Sequence, residues 1–128
     1  MVTAARETVF QQAHRQATTA SVRDVAAFLQ DVLSRRLTAY IAGVRDAKTV
    51  TRWVNGEITQ IRDYEAEQRL RTAYEIAQLL LIEESPRTVR AWFIGLDPSL
   101  DDVSPAEAIV EGRLREALVA ARAFLAAG

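Results

Sequence analysis

A chain of 128 residues, 49% hydrophobic and 26% charged, can bury one compact core or two small helical lobes that share a core. It has no cysteine, which excludes disulfides, thiolate metal sites and a cysteine nucleophile together. No apolar run approaches the ~18 residues of a membrane span, and no basic-then-apolar leader is present, so a cytoplasmic protein is expected.

The net charge of −1 hides an uneven distribution. Residues 33–56 carry Arg35, Arg36, Arg45, Lys48 and Arg52 against Asp46 alone, whereas from Glu57 onward acids outnumber bases by thirteen to eight. A basic element joined to an acidic remainder suggests two surfaces with different partners.

In chain order the pattern is all helical, because no alternating strand pattern recurs. Residues 1–20 form a polar, alanine-rich extension, with Val9, Phe10, Ala13 and Ala17 at loose helical spacing. This reads as a frayed or partner-bound helix. Ser21 offers an N-cap to the amide of Asp24, and Val22, Val25, Ala26, Leu29, Val32 and Leu33 follow on one face. A short helix over 36–42 stops at Gly43, where a missing Cβ permits a left-handed turn. Asp46 is placed to cap the next helix, 47–55, whose buried edge is Val50, Trp53 and Val54 and which ends at Gly56.

The less regular stretch 57–64 leads to a long helix over about 65–82, with its stripe at Leu70, Ala73, Ala77, Leu80 and Leu81. Ser85-Pro86 opens a helix running to Ile94 and stopped by Gly95. Ser104-Pro105-Ala106-Glu107 is a capping box opening a short helix that breaks at Gly112. A final helix over 113–126 places Leu114, Ala117, Leu118, Ala121, Phe124 and Leu125 on one side.

The chemistry-bearing segment is RRLTAYIAGVRDAKTVTRWVNG, residues 35–56: helix, tight turn at Gly43-Val44, second helix. Opposite the apolar edge of the second helix lie Lys48, Thr51, Arg52 and Asn55. Arg and Lys donate to guanine O6 and N7, Asn pairs bidentately with adenine, and a Thr methyl meets a thymine methyl. Arg35, Arg36 and Arg45, near the turn, suit phosphates. The expectation is a helix-turn-helix whose second helix lies in the major groove. The competing reading is an amphipathic helical hairpin with solvated charges.

The hairpin followed by a long apolar helix resembles the Xre-type N-terminal part of the Xre/MbcA/ParS toxin-binding antitoxins. Val89-Arg90-Ala91-Trp92-Phe93, Leu96-Asp97-Pro98-Ser99-Leu100, Ser104-Pro105-Ala106-Glu107 and Glu111-Gly112 are similar to that family's C-terminal toxin-binding domain. The likeness runs from about Leu33 to the C-terminus. It implies an all-α protein with a helix-turn-helix bundle over 21–82 and a small helical toxin-binding-type domain over 83–128. It further implies a homodimer that binds operator DNA and neutralises a RES-domain toxin. Carried onto this chain, the toxin-facing candidates are Trp92, Leu100, Pro105, Glu107 and Gly112. Each also has a plain structural reading as core, cap or helix break. Two alternatives stay open: a DNA-binding regulator without a toxin, and a protein-interaction module without DNA.

No enzyme and no cofactor is expected. His14 is the only histidine and reads as a solvated surface residue. There is no glycine-rich phosphate loop. The pairs Glu83-Glu84 and Asp101-Asp102 flank helix ends, where Asp101 and Asp102 suit the dipole of the helix that Ser104 caps.

Overall fold

Local chemistry sets the helix boundaries in the computed structural model, which describes residues 2–128; Met1, the first residue of the expected extension, lies outside them. The fold is all-α. Among the described residues the helices are α1 (Val2–Thr19), α2 (Val22–Leu33), α3 (Arg35–Ala42), α4 (Lys48–Val54), α5 (Tyr64–Leu81), α6 (Pro86–Ile94), α7 (Pro105–Val110) and α8 (Leu114–Ala127). A 3-10 turn, Pro98–Leu100, lies between α6 and α7. No described helix is long and apolar enough to cross a membrane.

Hydroxyl and carboxylate caps start most helices. Ser21 Oγ accepts from the Asp24 amide at 3.0 Å, Ser85 Oγ from Thr88 at 3.2 Å and Ser104 Oγ from Glu107 at 3.1 Å. Asp63 opens α5 by accepting from the amides of Glu65 and Ala66. Each such cap contributes about 1 kcal/mol. Ser34 does double duty: its N–H donates to Gln30, ending α2, and its Oγ accepts from Leu37, starting α3. It does so with φ at 102°, a conformation rare outside glycine.

Left-handed glycines end α3 and α4. Gly43 (φ 77°) donates to the Tyr40 carbonyl while Val44 donates to Ala39. Gly56 (φ 78°) donates to Trp53 while Glu57 donates to Arg52. Both are Schellman motifs, which satisfy carbonyls that the helix leaves unpaired.

The long helix α5 is the axis of the molecule and packs against α1, α2, α3, α6, α7 and α8. Its Leu70, Ala73, Ile76, Ala77, Leu79 and Leu80 are fully buried. The main core joins them to Leu29, Leu33, Ile41, Val50, Val89, Phe93, Ile109 and Ala121. Residues on both sides of position 82 therefore share one apolar cluster. A smaller cluster of Leu100, Ala108 and Ala120 sits beneath Trp92 and Val103.

The first segment, expected as a frayed or partner-bound helix, is a helix packed on its own chain. α1 spans 18 residues and packs on α5. Ala13 and Ala17 are buried, and Val9 and Phe10 pack on the core. Arg71 on α5 donates to the carbonyls of Ala17 (3.0 Å) and Ala20 (2.7 Å), capping the C-terminal end of α1. Small alanines allow close approach of α1 to α5, and tertiary contacts supply what weak local amphipathicity does not.

Candidate functional site

The connection Gly43–Ala47 brings α4 back against α2 and α3, with Val50 and Trp53 buried between them. Asp46 Oδ1 accepts from the Lys48 amide at 2.9 Å, as its position suggested. At the start of α4, Thr49 donates to Asp46 and Val50 to Ala47, tight three-residue bonds that leave regular helix only from Lys48. With one edge committed to the core, Lys48, Arg52 and Asn55 are exposed and Thr51 is half-buried.

Arg35, Arg36 and Arg45 are likewise exposed. Arg35 is brought onto α4 itself, where its Nη1 donates to Thr51 Oγ1 at 3.2 Å. The first turn of α3 and the outer edge of α4 thus form one continuous surface. None of these five cations pairs with a carboxylate among the described residues. The ion pairs there involve Arg6, His14, Arg71 and Arg113 instead. An unpaired cation keeps its donors and charge available to an anion.

One further cation escaped the sequence reading. Arg23, exposed in the first turn of α2, donates through Nη2 to the Asn55 carbonyl at 3.0 Å. Its spacing 32 residues from Asn55 gave no sign of this contact. Arg69 is similar in kind but half-buried: it caps the end of α3 by donating to the carbonyls of Ile41 and Ala42, each at 2.8 Å.

The second group of candidates gathers around α6, α7 and α8. Trp92 is half-buried, edge-on to Phe93 at 5.2 Å and tilted against Phe124 at 6.4 Å. Leu100 is 1% exposed and Pro105 is buried, so both support this region from beneath. Glu107 is half-buried and Gly112 exposed, with φ at 86°. The outer surface of these helices carries Ile94, Leu96, Val119 and Phe124, of which Leu96 is 76% exposed.

Arg113 ties this group together. It donates to the Leu100 carbonyl, to Asp101 at 3.0 Å and to both carboxylate oxygens of Glu116 at 3.0 Å. The hydrogen bond from Arg113 holds the Glu116 carboxyl below the usual carboxylate range, although desolvation opposes it. Because the folded-state value is depressed, the pair stabilises the fold above the unfolded glutamate range and loses that effect as pH falls through the folded value. Arg113→Gln should raise the pH at which Glu116 titrates, because the lowering contacts are lost while desolvation remains. An NMR pH titration of the Glu116 side chain in both proteins checks this, and an unchanged curve would contradict it.

Tyr40 links the two groups. α3 packs beside α7, and burial first, then the charges of Glu107 and Glu111, raise the Tyr40 hydroxyl pKa. His14, expected as a solvated residue, is 69% exposed at its side chain, yet its Nδ1 lies 3.0 Å from Glu75 Oε1. Glu75 on α5 is 5% exposed, a buried acid that the sequence pattern did not single out.

No protein-family model matches the chain, and no match is found among curated proteins or solved structures.

Proposed function

We propose that this chain is a DNA-binding regulator of the Xre/MbcA/ParS antitoxin type. It reads duplex DNA with α4 and engages a RES-type toxin with its C-terminal helices. The observation that carries the DNA half is the division of α4: Val50 and Trp53 are buried while Lys48, Arg52 and Asn55 stand exposed with no acidic partner among the described residues. Lys48, Thr51, Arg52 and Asn55 would meet base edges. Arg36 and Arg45 would hold phosphates, as would Arg35, which already sits on Thr51. One such surface spans few base pairs, so two copies on a palindromic site, about one helical turn apart, are the expected assembly.

Salt dependence tests this reading, because each neutralised phosphate releases counterions. Titration of the chain onto a duplex from upstream of its own coding sequence should give log K falling linearly with log salt. Three phosphate contacts per copy, six for a bound pair, predict a slope of about −5. No binding, or binding indifferent to salt, overturns the DNA reading.

A protein-interaction function receives separate support from the exposed apolar side chains Ile94, Leu96, Val119 and Phe124 in the C-terminal half. A contiguous apolar patch would mark a partner surface, whereas single exposed side chains need no partner. Co-purification with a RES-domain protein encoded alongside would support the toxin half. A chain that binds DNA alone would leave it a regulator without a toxin.

A further inference from the structure

We propose that Arg23, on α2, is a phosphate anchor of the same surface, held in position by the C-terminal end of α4. This rests on the reading of α4 as the DNA-contacting helix and extends it to a second element.

The seating of Arg23 is specific. Gly56 follows the last turn of α4, and a Cβ there would overlap the Arg23 guanidinium. The glycine that ends the helix thus also vacates the space through which Arg23 reaches the Asn55 carbonyl. The carbonyl end of a helix carries partial negative charge, which favours a cation there.

That interaction uses one of the five N–H donors of a guanidinium. Among the described residues no carboxylate pairs with Arg23, its neighbour Asp24 included. The side chain is exposed. Arg69, which caps α3 by the same kind of contact, spends two donors on carbonyls and is half-buried. Arg23 therefore does more than a helix cap requires: it keeps a full charge and free donors beside Asn55, a residue assigned to base contact. A duplex seated on Lys48, Arg52 and Asn55 would bring its backbone past the end of α4, where these donors are free. A fixed guanidinium loses less rotamer freedom on meeting a phosphate than an unanchored one.

Arg23→Gln removes the charge but keeps a polar amide side chain, and the unfolding curve reads what the lost contact with the Asn55 carbonyl contributes. The measurement is affinity for a mixed-sequence 30-bp duplex across a salt series, with thermal unfolding by circular dichroism alongside. The expected result is a slope of log K against log salt reduced in magnitude by about 1 per bound copy, equally on any sequence. Arg23→Lys, which keeps the charge, should retain the wild-type slope and guards against a glutamine variant that fails to fold. Arg115→Ala on α8, a helix that packs away from α2 and α4, removes the same net charge elsewhere and should leave the slope within error.

A wild-type slope in Arg23→Gln, or an equal reduction in Arg115→Ala, overturns the anchor and leaves Arg23 a cap only. If that happens while Arg52→Ala still weakens binding, the α4 reading survives. A wild-type chain that binds no duplex removes both.

Discussion

Simultaneous replacement of Lys48 and Arg52 by alanine is expected to abolish sequence-selective DNA binding while leaving the fold intact. Both side chains are exposed and neither enters an ion pair among the described residues, so the native state loses almost nothing when they are truncated. Surface changes of this kind shift stability by about 0.5 kcal/mol or less. The complex loses far more. A good bidentate contact to a base discriminates by roughly 1–3 kcal/mol, so two contacts amount to roughly 2–6 kcal/mol, a thirtyfold loss of affinity at the least. The loss should be larger on the preferred sequence than on mixed-sequence DNA, because phosphate contacts from Arg36 and Arg45 remain. Competition binding with the two duplexes measures the difference. If affinity for both duplexes stays at the wild-type value, α4 does not face the groove.

The helices were legible in the sequence where capping chemistry is local. Ser85-Pro86, Ser104-Pro105 and Gly43 each act within four residues of chain, and the structure places helix ends at all three. The apolar stripe of α2 was equally plain, because its six buried residues repeat at three- and four-residue steps. What could not be read depends on long-range contact. α1 is a regular helix because Arg71, more than fifty residues away, caps it, and because Ala13 and Ala17 let α5 approach. The helical spacing of Val9, Phe10, Ala13 and Ala17 was legible, but nothing local announces Arg71 or α5 as what they meet. The same holds for the candidate site: exposure of Lys48, Arg52 and Asn55 followed from helical periodicity, but the Arg35–Thr51 and Arg23–Asn55 contacts join residues of different helices. Arginine is ambiguous in sequence for this reason. Arg69 and Arg71 look like surface charges, yet they spend their donors on the carbonyls that end α3 and α1.

The division into two halves has a sharper physical test. Phe93 on α6 is 0% exposed, and it belongs to the cluster that contains Leu29, Leu33, Ile41 and Leu80 from the first two-thirds of the chain. Its ring also takes the edge of Trp92 at 5.2 Å. Phe93→Ala should cost about 3–5 kcal/mol through lost transfer energy and the cavity left behind. That is a large share of the roughly 5–15 kcal/mol available to a domain of this size. Ile94→Ala, at a side chain 59% exposed, should cost about 0.5 kcal/mol or less. Because the core is continuous, the loss at Phe93 must be felt in α4. The two tryptophans permit the measurement: in a Trp92→Phe background, fluorescence comes from Trp53 alone. Urea unfolding followed at Trp53 should show one transition, moved to a lower midpoint by Phe93→Ala with its slope unchanged. A Trp53 transition that stays in place would mean that α4 and α6 unfold independently. The C-terminal helices could then bind a partner without influencing the surface proposed to meet DNA. A shared transition makes α5 the mechanical link through which occupancy of one surface can shift the stability of the other.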